Sequence, residues 1–439
     1  MVPECNQLSI PTGKVLFFSK AIALFVWLFV IFPQPTLGFP QLKIFPKTST
    51  DADPRKFLLG RLQLHPGYAI ESKYDSNVFL QADKVFADGT SEGREDDFIF
   101  INRPSMGLEL ERLPGEVFGF NLNYQAEDER FVNLGDTQDA LNHQATGSLN
   151  FGGPGGKTDL TLMGKYDKSR STPNFDLQTN IGSRTKFESF TGLIDFVYIP
   201  SRISRFEAGL DFTGWRFGEP NQTIDSDLYS FHGAYYWQHN PLMSYGVSYK
   251  HTQKTYISNS TTLDDSYNDE VLLGVQRTSS LIKGELFLGL VSKRFERLSN
   301  ENAEELRYIL NLIYQPTSQT KLSLNGSRGI HDSTFKGIQF YVYNKFGLTI
   351  SQKIGNKIEA DLKGVYENLK FQSTALDVQG GGIIKTREDK RMEFSLSLIY
   401  EIQAWLEAKA KYSYIQNDSN FDSIDFKRNV GLLELAIIY

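Results

Sequence analysis

The stretch Val430-Gly431-Leu432-Leu433-Glu434-Leu435-Ala436-Ile437-Ile438-Tyr439 occupies the last ten positions of the 439-residue chain. Within it, Leu433, Leu435, Ile437 and Tyr439 form an apolar row that alternates with the remaining side chains. A period of two residues predicts a β-strand with one strongly apolar face, because successive side chains of a strand point to opposite sides of a sheet. We therefore expect the segment to complete a sheet whose outer face is apolar.

A second apolar stretch, residues 21–32, follows Lys14 and Lys20 near the other end of the chain. Its twelve residues are fewer than the about 20 that a transmembrane helix needs, but they suit the core of a secretory signal. Thr36-Leu37-Gly38 places small residues before a cleavage site. We expect residues 1–38 to be a signal peptide removed before Phe39; a membrane anchor is the alternative.

Cysteine and charge narrow the function classes. Cys5 lies in the expected signal peptide, so the mature chain would have no disulfide framework or thiol nucleophile. The formal net charge is −6, and removal of Glu4, Lys14 and Lys20 changes it to −7. This mild acidity argues against nucleic acid as a partner, because binding it requires a concentrated basic face.

Turn-forming residues divide the rest of the chain into segments joined alternately by short and long connections. The short ones centre on Leu113-Pro114-Gly115, Gly153-Pro154-Gly155-Gly156, Pro200-Ser201-Arg202, His239-Asn240-Pro241, Thr278-Ser279-Ser280, Pro316-Thr317-Ser318, Gly355-Asn356-Lys357 and Gln403-Ala404. The longer polar stretches include 75–97, 170–184, 218–225, 258–266, 373–386 and 417–427. Short turns rich in Pro, Gly, Asn and Ser are typical of hairpins.

This alternation predicts an all-β fold, a transmembrane antiparallel up-and-down β-barrel over residues 63–439. Eight turns and nine loops give about 18 strands, with 16 to 18 as the range, and an even number is usual for a single-chain bacterial barrel. The turns would be periplasmic and the longer loops extracellular. Residues 39–62 would form a short periplasmic segment, too short to plug a lumen as the N-terminal domain of an energised nutrient transporter does.

Strand parity assigns side chains to the two faces of the barrel. In the clearest strands, one row is apolar and aromatic and the other is polar. The candidate pore-lining residues are Asn121, Asn123, Asp211, Lys283, Glu285, Arg391, Glu393, Glu407, Lys409, Lys411 and Glu434. Burying such charges in the packed core of a soluble β-sandwich would cost about several kcal/mol each. In a water-filled lumen the charges stay hydrated, so most of this cost is avoided. A β-propeller is the other alternative, but each 40-residue interval holds two long strands instead of four short ones.

Catalytic and metal motifs are weak. Gly156-Lys157-Thr158 lacks the earlier glycine of a phosphate-binding loop. His331-Asp332-Ser333 contains the residue types of a hydrolase triad, but three neighbours cannot converge as a triad does. The six histidines show no metal-type spacing, so no metal or cofactor is expected. The acidic loop 75–97 lacks the ordered spacing of a dedicated calcium loop, so solvated charge is favoured over bridging cations.

Tyr74-Asp75-Ser76-Asn77-Val78-Phe79, with Gly67-Tyr68 before it, resembles the opening of the putative β-barrel porin 2 family. The resemblance extends to chain length and strand number over nearly all residues after 60. It implies an outer-membrane protein without catalytic residues, associated with exopolysaccharide synthesis or secretion.

We therefore expect a porin-like channel of the bacterial outer membrane that serves glycan secretion or passive solute diffusion. The alternatives are a closed structural barrel that anchors surface polysaccharide or contacts other cells and, more remotely, an outer-membrane lipid hydrolase. Expected partners are outer-membrane lipid, lipopolysaccharide, exopolysaccharide or its export proteins, and the barrel-assembly machinery. The row Leu433, Leu435, Ile437 and Tyr439 resembles the signal that this machinery reads.

Overall fold

The computed structural model describes residues 57–59, 61–82, 94–111, 117–152, 156–171, 184–219, 221–257, 263–333, 338–377, 383–421 and 424–438. The expected signal peptide, its cleavage site and Tyr439 lie outside these residues. Within the described ranges, no helix combines the length and the apolar character needed to cross a membrane.

Antiparallel β-strands account for most of the described chain. A short strand β1 (Phe57–Leu59) precedes β2 (Leu62–Asp75), β3 (Asp97–Leu110), β4 (Phe118–Phe131), β5 (Ala140–Phe151), β6 (Thr158–Ser171), β7 (Thr185–Ser201), β8 (Ser204–Phe217), β9 (Ser226–Asn240) and β10 (Met243–Tyr256). The second half comprises β11 (Ser266–Thr278), β12 (Ile282–Phe295), β13 (Ala303–Tyr314), β14 (Thr320–Asp332), β15 (Phe340–Ile354), β16 (Ile358–Asp377), β17 (Ile383–Gln403), β18 (Leu406–Ser419) and β19 (Phe426–Ile438). One helical turn, α1 (Gly135–Gln138), and two 3₁₀ turns, Asn221–Ile224 and Ser299–Glu301, lie in connections.

The sheet closes on itself. Each strand from β2 to β19 pairs with its neighbours in sequence, and β19 returns to pair with β2, from Val430 opposite Asp75 to Ile438 opposite Gly67. Strand β1 pairs with the start of β2 and adds a short extension upstream of residue 62. The predicted all-β, antiparallel barrel of 18 long strands is therefore confirmed.

Six of the eight predicted turns lie at short connections between described strands, whereas Leu113-Pro114-Gly115 and Gly153-Pro154-Gly155 lie outside the described residues. Most of the nine connections that alternate with these turns are longer, but the one between β16 and β17 takes up only positions 378–382. Gly355 adopts a positive φ of 64° in the turn between β15 and β16, a conformation that glycine adopts without strain. One predicted loop, 373–386, is wrong at both ends. Strands β16 and β17 extend to Asp377 and from Ile383, because Thr374, Leu376 and Ile384 continue the pairing after an irregularity near Lys370.

Large apolar side chains are exposed along one face of the barrel, as a lipid-facing surface requires. Leu433 and Leu435 of the opening stretch are 65% and 46% exposed. Tyr74, near the end of β2, donates its Oη to Asp96 at 2.9 Å. Tyr249 and Tyr412, at the middle of β10 and β18, donate theirs to Asp269 at 2.6 Å and to Asn429 at 2.7 Å. A ring that is apolar at one end and hydrogen-bonded at the other suits a membrane interface.

Most of the buried apolar clusters lie at the end of the barrel where the longer connections are, whereas Tyr236, Leu272 and Phe287 cluster within strands β9, β11 and β12. Val78 and Phe79, which follow β2, pack with Ile99, Ile101 and Phe131 of β3 and β4. Ile338, which precedes β15, packs with Leu369, Phe371, Phe421 and Ile424. The longer connections are therefore tied to the barrel wall by apolar side chains as well as by hydrogen bonds.

Candidate functional site

The eleven candidate pore-lining residues share one face of the sheet. Residues that are opposite one another on neighbouring strands lie on the same side of a sheet. Starting from Asn121, the strand registers therefore identify which residues of every other strand share its face. Exposed apolar side chains take the alternate positions, such as Met392 and Phe394 beside Arg391 and Glu393. We name this surface the polar face.

Side chains on the polar face reach across several strands. Arg205 of β8 donates to Gln276 of β11 at 2.8 Å, and Lys250 of β10 lies 3.3 Å from Asp211 of β8. Neighbouring strands are about 4.8 Å apart, so contacts over two or three strands need side chains that converge. Convergence is the property of the concave side of a closed sheet.

Glu434 belongs to a charged group where the barrel closes, which we name the seam cluster. Arg103 of β3 donates to Glu434 of β19 at 2.8 Å, to Glu127 of β4 at 2.9 Å and to Glu71 of β2 at 3.1 Å. Lys409 of β18 lies 3.8 Å from Glu434. Five strands on both sides of the closure are thus joined through one guanidinium and its carboxylates.

Other candidates form pairs along the wall. Glu393 accepts from Lys363 at 3.0 Å, and Arg391 lies 4.0 Å from Glu367. A cavity of about 30 Å³ brings Arg391 and Glu393 together with Lys345, Val365 and Glu367. That volume suits one or two water molecules.

The remaining candidates differ in their surroundings. Glu285 accepts from Asn311 at 2.7 Å and from Gln276 at 3.2 Å. Asn123 donates to Asn121 within β4. In the part of the chain that the structure describes, no ion pair joins Lys283, Glu407 or Lys411 to another residue, although all three lie on the polar face. Their assignment to a pore stays a prediction, as does that of the other eight.

The sequence reasoning missed several members of these networks. Arg103, Glu71 and Glu127 occupy polar-face positions, so strand parity alone could have indicated them. His232 lies 3.2 Å from Asp195 and 3.8 Å from Asp211, a contact that depends on the pairing of β7, β8 and β9. Among the described residues, no group of three His, Cys, Asp or Glu is arranged to hold a metal ion.

Strands β13 and β14 separate towards the end where the long connections lie. Their register runs from Tyr314 opposite Leu322 to Tyr308 opposite Arg328, and it does not continue to Ala303–Arg307 although both strands do. Arg307 fills the break: its Nη1 donates to the Arg328 carbonyl at 2.7 Å, and its Nε donates to Glu270 at 2.7 Å.

Beyond the break, β14 and β15 lie inside the wall. By parity Asp332 belongs to the outer face, yet its carboxylate lies 2.5 Å from Lys293 of β12 and 3.8 Å from Lys254 of β10, both on the polar face. Ile330, Phe340 and Val342 have the same parity and pack with Phe295 of β12. We name Arg328–Asp332 and Phe340–Tyr343 the inner segment, because its outward-facing side chains contact the inner surface of β10–β13.

The connection between the two parts of the inner segment extends between opposite sides of the barrel mouth. Gln339 accepts from the backbone N–H of Asp264, between β10 and β11, at 3.2 Å. Its neighbour Ile338 is fully buried against Phe421 and Ile424, between β18 and β19. These two connections are eight strands apart in the 18-stranded barrel. The described part of this connection therefore narrows the mouth.

His331 and Asp332, two of the three neighbours that have the residue types of a hydrolase triad, have different hydrogen-bond partners. His331 Nδ1 lies 3.3 Å from the Asp332 carbonyl, whereas the Asp332 carboxylate binds Lys293. The backbone N–H of the buried Ser333 donates to the Gln339 carbonyl at 2.9 Å.

The family-like segment after β2 is a junction between the first and last strands. Asn77 is completely buried; its side chain donates to the carbonyls of Gln81 at 2.9 Å and Lys427 at 3.1 Å. Ser76 Oγ accepts from the backbone N–H of Asn429 at 2.7 Å. The short motif thus has a structural role in barrel closure.

In the acidic connection 75–97, several carboxylates have local partners. Asp97 accepts from the backbone N–H groups of Asn133 and Leu134, and Asp96 accepts from Tyr74 Oη at 2.9 Å. Asp83, Asp88 and Glu92 lie outside the described residues.

Several solved structures are similar to this chain. OpdK of Pseudomonas aeruginosa is 9% identical, with 86% of this chain and 99% of that chain covered and a TM-score of 0.45. OccK2 (OpdF) of the same species is 10% identical, with 85% and 98% covered and a TM-score of 0.47. The FrpB iron transporter of Neisseria meningitidis (F3-3 variant) is 9% identical, with 81% of this chain covered and a TM-score of 0.45. The chain spans 62% of the length of that FrpB chain.

No curated protein sequence matches the chain. Residues 221–439, which contain the strands from β9 to β19, match the family model described as Putative beta-barrel porin 2. The description of this family as a β-barrel porin is consistent with the closed antiparallel barrel observed here and with its apolar and polar faces. By this match, the chain belongs to the Putative beta-barrel porin 2 family of outer-membrane β-barrels.

Proposed function

We propose that the protein is an outer-membrane channel whose lumen passes glycan during secretion or admits small solutes by diffusion. The observation that carries the proposal is the polar face, a concave surface rich in charged and amide side chains that includes all eleven candidate residues. At about 16 to 18 strands a barrel is wide enough to keep an aqueous channel. No chemistry on the cargo is required.

The lining charges are mixed in sign and mostly paired, as in Lys363 with Glu393 and Arg103 with Glu434. We infer weak selection between cations and anions, because paired charges leave little net field along a pore. Selection by size would come from the inner segment, which occupies part of the cross-section near the mouth. Export through a secretory signal and insertion by the barrel-assembly machinery complete the proposal.

Conductance of the purified protein in planar bilayers tests the proposal. A channel gives discrete current steps, and exchanging Lys363 and Glu393 (Lys363→Glu with Glu393→Lys) should leave their size nearly unchanged because the pair is retained. Correctly folded protein that never conducts, in membranes where a known porin does, would overturn it. Correct folding is checked independently by the migration of unheated protein in SDS gels.

A closed structural barrel is the second candidate, favoured by the packing of Ile338 and Gln339 between opposite sides of the mouth. Replacing the long connections by short turns separates the two. An anchor for surface polysaccharide would lose its function, whereas a channel would conduct as well or better. Partners such as lipopolysaccharide, exopolysaccharide or its export proteins belong to both candidates.

A further inference from the structure

Three aromatic rings lie together on the inner segment. His331 of β14 and Tyr341 of β15 are opposite one another in the register, and their rings stack with centroids 5.5 Å apart and an interplanar angle of 12°. The Tyr343 ring meets His331 edge-on at 6.4 Å. His331 is exposed, and the two tyrosines are half-buried.

These rings point towards the interior of the barrel. Their neighbours Ile330 and Asp332 contact the inner surface of the wall, through Phe295 and Lys293 respectively. Because side chains alternate along a strand, His331 must point away from that wall. The aromatic group therefore borders the space through which a cargo would pass.

The rings are held in place by their neighbours. Tyr343 Oη accepts from Arg307 Nη1 at 3.2 Å, and the Tyr341 ring lies 5.0 Å from the ring of Phe371. Two residues along β15 from Tyr343, Lys345 lies 3.8 Å from Glu367 of β16, and half of the Lys345 side chain is exposed. Donors and acceptors thus lie beside a preformed aromatic surface.

We propose that His331, Tyr341 and Tyr343, together with Lys345 and Glu367, form a saccharide-binding shelf inside the barrel. A pyranose has an apolar C–H face that stacks on an aromatic ring and hydroxyl groups that need polar partners at its edge. The combination of rings and charged groups favours a saccharide over two other ligands. Aromatic rings alone would suit an apolar solute, and the Lys345–Glu367 pair alone would suit an ion. This inference rests on the proposed passage of glycan and names a contact point for it.

Calorimetric titration of the whole detergent-solubilised protein with maltohexaose and, separately, with a galacturonate hexamer tests the shelf without requiring conduction. We expect at least one of the two sugars to bind, and His331→Ser and Tyr341→Leu each to weaken that binding about tenfold, as loss of one stacking ring does. His331 is exposed, so its replacement keeps the test valid if the Tyr341 variant fails to fold. Tyr249→Leu, on the outer face, is the matched control and should bind like the wild type.

Two results would overturn the shelf: wild-type protein that binds neither sugar, or His331→Ser and Tyr341→Leu variants that bind as tightly as Tyr249→Leu. A protein that binds sugar at the shelf but never conducts would support the shelf and contradict the channel. A protein that conducts but binds no sugar would support the channel and contradict the shelf.

Discussion

Arg428 of β19 donates to both carboxylate oxygens of Asp75 at the end of β2, with Nε 2.9 Å from Oδ1 and Nη2 bonded to Oδ2. The last and first long strands are thus joined by a two-point ion pair beside their backbone ladder. Asp75 is 1% exposed, and its Oδ1 also accepts from the backbone N–H of Asn77 at 3.2 Å. Closure of the barrel is specified by side chains as well as by the backbone.

Replacing Asp75 by Asn should destabilise the barrel, because the partly buried guanidinium of Arg428 would lose its buried counter-charge. We expect the free energy of unfolding, measured in urea on protein refolded into liposomes, to fall by about 3 kcal/mol. Glu188→Gln, which removes an exposed partner of Lys168 at 2.7 Å, is the control and should change it little. Equal effects of the two substitutions would contradict the role given to Asp75.

Replacing Gly289 by Ala should also be harmful. A Cβ at this position would lie 1.8 Å from the carbonyl oxygen of Val271, a backbone atom of the paired strand that cannot move freely. A loss of about 1 to 3 kcal/mol is typical of such overpacking. Gly164→Ala is the matched control, since a Cβ there meets no atom within 4 Å; thermal unfolding that fails to distinguish the two would count against the packing described.

Much of this structure could be predicted from local patterns, and the exceptions have a common cause. The row Leu433, Leu435 and Ile437 reveals strand, face and lipid side because a period of two residues is a local property. The ion pair between Asp75 and Arg428 depends on which strands are neighbours, and so does the break in the register between Ala303–Arg307 and β14. An alternating pattern does not encode which strands are neighbours. Strand β14 keeps its period through Ile330, so nothing local indicates that it lies inside the wall.

The buried apolar residues of the longer connections had a weak signal. Ile338, Phe421 and Ile424 are isolated apolar residues in otherwise polar stretches, a pattern that suits a loop folded inward. Their common cluster, however, joins connections four strands apart. The aromatic group at His331 was hidden for the same reason, because its stacking partner Tyr341 lies across the hairpin.

Acid should loosen the connection between β10 and β11. Burial alone would raise the pKa of Asp264, but the hydrogen bonds from Arg297 and from the backbone N–H groups of Arg297 and Leu298 outweigh it, so the pKa lies below its ordinary 3.8. A carboxyl with a depressed pKa stabilises the fold above the ordinary value and loses that contribution as the pH falls through the lower one. We therefore expect hydrogen exchange in residues 263–265 to be slow at pH 7 and, after correction for intrinsic rates, to lose protection below about pH 4. Asp264→Asn should be less protected already at pH 7; protection equal to that of the wild type would contradict the account.

Tyr439 should matter for assembly. We expect Tyr439→Asp to lower the amount of folded barrel in the outer membrane more than Glu434→Gln, because the first change affects the expected assembly signal. Glu434 contacts Arg103 and Lys409, so its replacement should act on stability after insertion. Quantification of folded and unfolded forms in membrane fractions distinguishes these effects; equal insertion of both variants would contradict the assembly role.

The central claim is that a polar lumen conducts and that the inner segment narrows it. Single-channel conductance in planar bilayers, compared between the wild type and a variant whose residues 331–341 are replaced by an Asn-Gly turn, tests both parts together. The account predicts discrete steps from the wild type and larger steps from the shortened variant, because the variant lacks the chain that crosses the mouth. Folded protein that passes no current in either form, or steps of equal size in both, would contradict it.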